Sequence, residues 1–179
     1  MRVGLIGCGR IAEIEHLPAM LQSDRVQVVA CADPAPGLTE AVGRRAGLTS
    51  AACYADYRDL LARPDVEVVS VATPPSSRAA VVLDAAAEGK HVVGEKPFAP
   101  SLAEAYAMLA AFARSGTTLA VYHNYLYYFE HRLATQMIAD GAIGEVVRVE
   151  ICGPGSRPSL GAEGFKPAWR WDPSSLVAA

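Results

Sequence analysis

Short apolar runs alternate with amphipathic stretches along the first 122 residues. Arg2 to Ile6 is short and apolar, as a buried strand is. Ile11 to Leu21 has helical spacing, and Pro18 inside it predicts a kink or break. Val26 to Ala32 is a second apolar run, ending on Asp33. Gly37 to Ala46 reads as a helix stopped by Gly47. Cys53-Tyr54 is a short strand, and Asp56 caps a helical turn through Leu61 that Pro64 terminates. Val66 to Ala72 reads as a buried parallel strand, ended sharply by Thr73-Pro74-Pro75. Ser76 or Ser77 is expected to cap a helix reaching Glu88 and closing at Gly89. His91 to Gly94 is a fifth strand. Pro100-Ser101 opens a helix to Arg114 that stops near Gly116, and Thr118 to Tyr122 is a sixth strand.

Strand and helix alternate throughout, which predicts an α/β fold with a doubly wound parallel sheet. The pattern changes near His123. Asn124 to Phe129 is rich in aromatics, and Glu130 to Ala139 is helical, closed by Asp140-Gly141. Gly144 to Ile151 alternates as a half-exposed strand does. From Cys152 on, Gly, Pro and Ser dominate, interrupted by Trp169-Arg170-Trp171. The expected division is a domain at 1–122 and the beginning of a second, incomplete α/β domain at 123–179. One helix and one strand are too little to bury a core of their own. Val146, Val147, Val149 and Ile151 would then be exposed unless a partner chain covers them, which predicts association.

The 179 residues are 51% hydrophobic and 20% charged, so the chain can bury a core and is not of the disordered class. A net charge of -3 makes no electrostatic case for nucleic acid or an anionic membrane. The four cysteines, Cys8, Cys31, Cys53 and Cys152, are scattered without a C-x-x-C pair. No metal site or disulfide framework is expected from them, and a reducing cytoplasm is the default. Cys8 and Cys31 read as small buried hydrophobes. The amino terminus reads as a strand rather than a signal peptide, and no apolar stretch is long enough to span a bilayer.

The first candidate chemistry lies at Gly7-Cys8-Gly9-Arg10-Ile11-Ala12, a G-x-G-x-x-A turn between a strand and a helix. Gly7 permits the tight turn, Gly9 leaves the backbone open to a pyrophosphate, and Ala12 lets helix and strand pack closely. The first helical N–H groups then face the phosphates. Asp33 ends the next strand, where a carboxylate can accept both ribose hydroxyls of an adenosine.

A second constellation lies at the carboxyl ends of later strands, where open parallel sheets bind ligands. These ends read Thr73-Pro74-Pro75, Glu95-Lys96-Pro97 and His123-Asn124-Tyr125. Lys96 is one of three lysines, with Lys90 and Lys166. Held between a strand end and a proline, it either hydrogen-bonds a substrate oxygen or is a solvated loop lysine. Glu95 reads as structural or as a polar contact rather than a base. His16 reads as a surface or cap residue, His91 as core, and His131 as solvated or packed. Only His123 is a candidate acid or base. Tyr122, Tyr125, Tyr127, Tyr128 and Phe129 either line a ligand site or pack in a core or interface.

Taken in order, G-x-G-x-x-A, Asp33, Ala-Thr-Pro-Pro, Gly-Lys-His-Val-Val-Gly-Glu-Lys-Pro and Gly-x-Ile-Gly-Glu-Val resemble the glucose–fructose oxidoreductase, inositol dehydrogenase and MocA family. The resemblance covers nearly the whole chain, and Glu-Lys-Pro is its most specific part. It implies a Rossmann domain followed by an α/β domain with an open sheet. It implies NAD(P)-dependent chemistry at a hydroxyl or ketone of a sugar, sugar derivative or cyclitol, in a dimer or tetramer formed through the second-domain sheet. On that resemblance Lys96 orients substrate. Gly7, Gly9, Arg10, Ile11 and Asp33 hold adenosine and pyrophosphate. Thr73, Pro74, Glu95 and Asn124 line the nicotinamide side, and Trp169 and Arg170 match the family's Trp-Arg pair near the cofactor. NAD is expected over NADP, because Asp33 repels a 2′-phosphate and Pro34-Ala35 offer no base to bind one. Arg44 and Arg45 lie too far along their helix to serve.

The departures are also specific. Family members carry a glycine-rich segment and then an Asp and a His on one helix, which bind substrate and move the proton. This chain reads Trp171-Asp172-Pro173-Ser174-Ser175-Leu176-Val177-Ala178-Ala179 where that segment would begin, so no Asp–His pair is assigned. Position 78 is Arg where the family often has His. Three readings stay open: an NAD-dependent dehydrogenase or reductase, a non-catalytic dinucleotide-binding module, and a structural subunit of a hetero-oligomer.

Overall fold

The computed structural model describes residues 1–150. They form two compact units, one holding residues 1–122 and the other beginning at His123.

The first unit is built on six strands: β1 Arg2–Ile6, β2 Gln27–Ala32, β3 Cys53–Tyr54, β4 Val68–Val71, β5 His91–Gly94 and β6 Leu119–Val121. All pairings are parallel, in the order β3-β2-β1-β4-β5-β6. The register places Tyr54, Ala32, Ile6, Val71, Gly94 and Val121 in one row across the sheet. The next backbone bonds continue that row by one residue. Gly7 N–H donates to Ala32 O at 2.9 Å, Ala72 N–H to Ile6 O at 2.8 Å, Glu95 N–H to Val71 O at 3.0 Å and Tyr122 N–H to Gly94 O at 2.9 Å. One edge of the sheet therefore gathers the ends of all six strands. The strand order reverses between β1 and β4, which is where such sheets open a crevice.

Residue alternation, shifted by one position where Val29 is the extra residue of β2 against β1, divides the core into two layers. Leu5, Val28 and Cys31 point to one face and pack with Ala12, Leu17 and Val42. Ile6, Ala30, Ala32, Val69 and Val71 point to the other. There they meet Leu60 and Leu61 of α3 (Tyr57–Leu61), Val82 and Ala85 of α4 (Pro75–Ala87), and Met108 and Phe112 of α5 (Leu102–Ser115). Fully buried side chains such as Leu5, Leu17 and Leu60 each contribute about 1.5–3 kcal/mol. The cysteines behave as part of this core. Cys8 and Cys31 are buried. Hydrogen bonding with Cys8 and burial hold the Cys31 thiol far above its usual range, and burial first pushes Cys53 up to about 11.

Helix ends follow local chemistry. Asp56 accepts the Arg58 N–H at 2.9 Å, as a cap should. Ser101 Oγ accepts the Glu104 N–H and donates to Glu104 Oε2, a reciprocal cap on α5. Helix α2 (Leu38–Ala46) ends on Gly47 in the left-handed region.

Four sequence expectations are corrected. The break expected at Pro18 is a π turn, Ala12–His16, running directly into α1 (Leu17–Leu21). Leu17 N–H reaches back five residues to Ala12 O, and Pro18, which has no N–H to place, sits in the first turn of α1. Neither Ser76 nor Ser77 caps α4: Pro74 is its cap residue, Pro75 opens it with a preset φ, and Ser77 Oγ donates to Pro74 O. His91 is exposed rather than core, its Nδ1 accepting the Thr118 N–H at 3.0 Å. Residues 144–150 form no strand, because no second strand pairs with them among the described residues.

In the second unit, α6 (Phe129–Ala139) follows a short helical turn at Asn124–Tyr127. Tyr125 and Tyr128 rings lie 5.1 Å apart, and His131 Nδ1 is 2.8 Å from Tyr125 O. Every described residue from His123 on is exposed, including Val146, Val147 and Val149. Ile151 lies outside the described residues.

Candidate functional site at the carboxyl edge of the sheet

The glycine turn leaves β1 at the switch point. Gly7 has φ +90°, and a Cβ there would stand 2.8 Å from the Ala72 carbonyl carbon. A side chain is excluded by backbone conformation and by the neighbouring strand end together. Gly9 differs: a Cβ built on it meets nothing within 4 Å. Its lack of a side chain is not needed for packing, and it leaves an open cradle over the turn. Arg10 and Ile11 begin the helical stretch that follows, both exposed.

Asp33 follows β2 beside the glycine turn. Its Oδ2 accepts the Cys8 N–H and its Oδ1 accepts the Ala35 N–H, each at 2.8 Å. Two backbone donors fix the carboxylate beside the glycine turn, and each oxygen keeps a further lone pair for a hydroxyl. Arg45 is tied to the first helix instead, with Nη1 donating to Glu13 O at 3.0 Å.

The turns after β4 and β5 lie across the switch point. Thr73 Oγ1 is buried and has no hydrogen-bond partner among the described residues. Arg78, on α4, is buried at 3% exposure. Its Nη2 donates to Thr73 O at 2.7 Å and its Nη1 to Pro97 O. One guanidinium thus ties the turn after β4 to the turn after β5, and burial lowers its pKa. Lys96 stands exposed on the second of these turns, followed by a cis peptide bond to Pro97.

Beneath Lys96 is a polar network that sequence reasoning missed. His16 is buried, not a surface or cap residue. Its Nε2 is 2.8 Å from Glu95 Oε1 and its Nδ1 is 3.1 Å from Ser70 Oγ. Ser70 Oγ is 3.2 Å from Tyr122 Oη, and the Tyr122 ring packs on the His16 ring with centroids 4.4 Å apart. Glu95 Oε2 accepts the Lys96 N–H at 3.1 Å. Burial pushes the Glu95 carboxyl up, but the His16 hydrogen bond and charge and the Lys96 backbone and charge outweigh it. Its pKa ends below the usual carboxylate range. Burial chiefly raises that of Tyr122. The only sequence signal for His16 was its place on the first helix, and a π turn shifts the facing of such a residue.

The geometry thus gathers Gly7, Gly9, Asp33, Thr73, Pro74, Glu95 and Lys96 along one edge, and Tyr122 joins them there. His123 and Asn124 open the second unit. Trp169 and Arg170 lie outside the described residues. Three features fit a dinucleotide: the open space over Gly9, the Asp33 carboxylate fixed by Cys8 N–H, and the unpartnered Thr73 hydroxyl. Among the described residues no cluster of His, Cys, Asp or Glu is placed to hold a metal ion, and no helix is long and apolar enough to cross a membrane.

The chain is similar to known proteins over this first unit. Residues 1–123 match the model of an oxidoreductase family with an NAD-binding Rossmann fold. The chain is 36% identical over 148 residues to 1-carboxy-3-chloro-3,4-dihydroxycyclohexa-1,5-diene dehydrogenase of Comamonas testosteroni, covering 82% of this chain and 36% of that protein. It is 34% identical over 140 residues to D-apiose dehydrogenase of Paraburkholderia graminis, covering 78% and 36%. The crystal structure of KijD10, a 3-ketoreductase from Actinomadura kijaniata, in complex with NADP and TDP-benzene, superposes with a TM-score of 0.73 at 32% identity, covering 81% of this chain and 44% of that one. An NAD binding oxidoreductase from Klebsiella pneumoniae gives 0.70 at 33% identity, covering 81% and 40%. The chain spans less than half the length of these relatives. It belongs to the Gfo/Idh/MocA family of oxidoreductases and carries that family's NAD(P)-binding Rossmann domain.

Proposed function

We propose that the chain is the dinucleotide-binding part of an NAD-dependent oxidoreductase acting on a hydroxyl or ketone carbon of a sugar, sugar derivative or cyclitol. The observation that carries this reading is the single edge shared by the Gly7–Gly9 cradle, the fixed Asp33 carboxylate and exposed Lys96. A bound nicotinamide would supply the hydride chemistry. Gly9 leaves room for the pyrophosphate, and Asp33 accepts ribose hydroxyls. Thr73, through its free hydroxyl, and Pro74 line the nicotinamide side. Lys96 donates a hydrogen bond to the substrate oxygen and stabilises negative charge developing there. The family resemblance adds Arg10, Ile11, Asn124, Trp169 and Arg170 as cofactor contacts and His123 as a further candidate for proton transfer.

NAD is favoured because Asp33 places a carboxylate where a 2′-phosphate would lie, and Arg45 is held against Glu13. KijD10 was crystallised with NADP, so the proposal is tested against both nucleotides. Self-association through the second unit and a cytoplasmic location complete the reading, the first supported by exposed Val147 and Val149. The test is a fluorescence titration of the purified chain with NADH and NADPH, on wild type and Asp33→Ala. NADH binding that Asp33→Ala weakens at least about tenfold supports the reading. Failure of both nucleotides to bind the wild type overturns it.

A further inference from the structure

The helix that opens the dinucleotide cradle also reaches the turn carrying the candidate substrate lysine. His16 sits at the end of the π turn, on the helical stretch that starts beside Gly9. Its two ring nitrogens have fixed partners on different strands. Nδ1 meets Ser70 of β4, and Nε2 meets Glu95 just past β5. A carboxylate only accepts, so Nε2 carries a hydrogen and donates to Glu95. In the neutral ring Nδ1 then accepts from Ser70, and Ser70 Oγ accepts from Tyr122. Each side-chain polar atom of His16, Ser70 and Tyr122 in this relay has a partner, and Tyr122 covers the ring. The other Glu95 oxygen holds the Lys96 N–H.

We propose that His16 is a positioning residue for Lys96, acting through the Glu95 carboxylate. This rests on the reading of Lys96 as the lysine that meets substrate. His16 fixes one oxygen of Glu95, and the second oxygen fixes the backbone at Lys96. The π turn is the local device that aims His16 inward, because its extra residue shifts the helix face. A displacement of the first helix on filling the cradle would be passed to the lysine turn through one side chain.

The charged and titratable groups facing Glu95 are His16 on the first helix, Arg78 on α4, Lys96 on its own turn and Tyr122 after β6. Arg78, Lys96 and Tyr122 remain when His16 is replaced, so a change on substitution belongs to the histidine. The chain's three lysines make Lys96 observable without turnover. Reductive methylation with 13C-formaldehyde would give one dimethylamine signal per lysine, assigned with Lys90→Arg and Lys166→Arg variants. The signals are followed against pH in wild type, Glu95→Gln, His16→Leu and His16→Gln, without nucleotide, and the Glu95 side-chain carboxyl is followed in parallel.

The expected result is that Glu95→Gln and His16→Leu both displace the Lys96 signal. His16→Leu should also raise the Glu95 midpoint by about one pH unit or more, as loss of a charge-stabilising donor does. His16→Gln, which keeps an N–H donor, should return both toward wild type. If every His16 variant leaves the Lys96 signal in place, or Glu95→Gln does, the proposal is overturned. If His16→Leu does not fold, His16→Ala, which removes the donor without adding bulk, takes its place: a Lys96 signal displaced by both Glu95→Gln and His16→Ala supports the link, and a signal that His16→Ala leaves in place overturns it. Because the measurement uses no nucleotide, failure of NADH to bind would overturn the cofactor reading and leave this result standing.

Discussion

His16 Nε2 lies 2.8 Å from Glu95 Oε1, with the two side chains only 5% and 14% exposed. A buried pair of this kind ties two elements 79 residues apart in the chain. Replacing Glu95 by Gln removes the charge and leaves His16 a weaker acceptor. A loss of about 1–3 kcal/mol at pH 7 is expected, read from urea midpoints.

The same pair shapes the acid limb of stability. Glu95 titrates below its ordinary value in the folded chain, so the unfolded chain binds its proton more readily. Its contribution is complete above the unfolded value, about 4.3, and is lost as pH falls through the lowered folded value. The gap between wild type and Glu95→Gln should therefore be widest at neutral pH and shrink in acid. A gap that stays constant between pH 7 and pH 3 would contradict the assignment.

Gly7 and Gly9 should respond oppositely to alanine. Gly7→Ala forces a side chain into a left-handed backbone and against the Ala72 carbonyl. About 1–3 kcal/mol of stability should be lost. Gly9→Ala meets open space, so stability should change by less than about 0.5 kcal/mol. NADH affinity should nevertheless fall at least about tenfold, because the added methyl fills the cradle. Thermal melts and nucleotide titrations on both variants check the contrast.

Arg78 should act as a brace. Arg78→Met leaves the carbonyls of Thr73 and Pro97 without their donor, and a loss of about 2 kcal/mol is expected. Arg78→Lys should recover only part of it, since one ammonium does not reproduce the planar fork that reaches both carbonyls. Urea unfolding of the three proteins measures the order.

Ser101 offers a test far from the site. Its hydroxyl and Glu104 cap α5 reciprocally, so Ser101→Ala should cost about 1 kcal/mol and leave nucleotide binding unchanged.

The alternation of strand and helix, the glycine turn, Asp33 after β2, the caps at Asp56 and Ser101, and the lysine turn are all legible in the order of residues. Each depends on neighbours within a few positions: a left-handed glycine, a proline, a short polar cap, an apolar run. Local pattern misplaced the serine caps of α4, since Pro75 opens that helix earlier than expected. It also gave residues 144–150 a strand, although a strand needs a pairing partner that alternation alone does not supply.

The facing of His16 and Arg78 was set only by the assembled fold. Helical spacing made His16 a surface residue, but the π turn and the packing of the first helix on β1 and β2 leave it facing Ser70 and Glu95. A helical arginine is usually solvated, yet the sheet order brings the Thr73 and Pro97 carbonyls within reach of Arg78. These outcomes depend on groups 54, 79 and 19 residues distant along the chain. Burial and hydrogen bonding at that range are properties of the assembled sheet, which no local window of sequence contains.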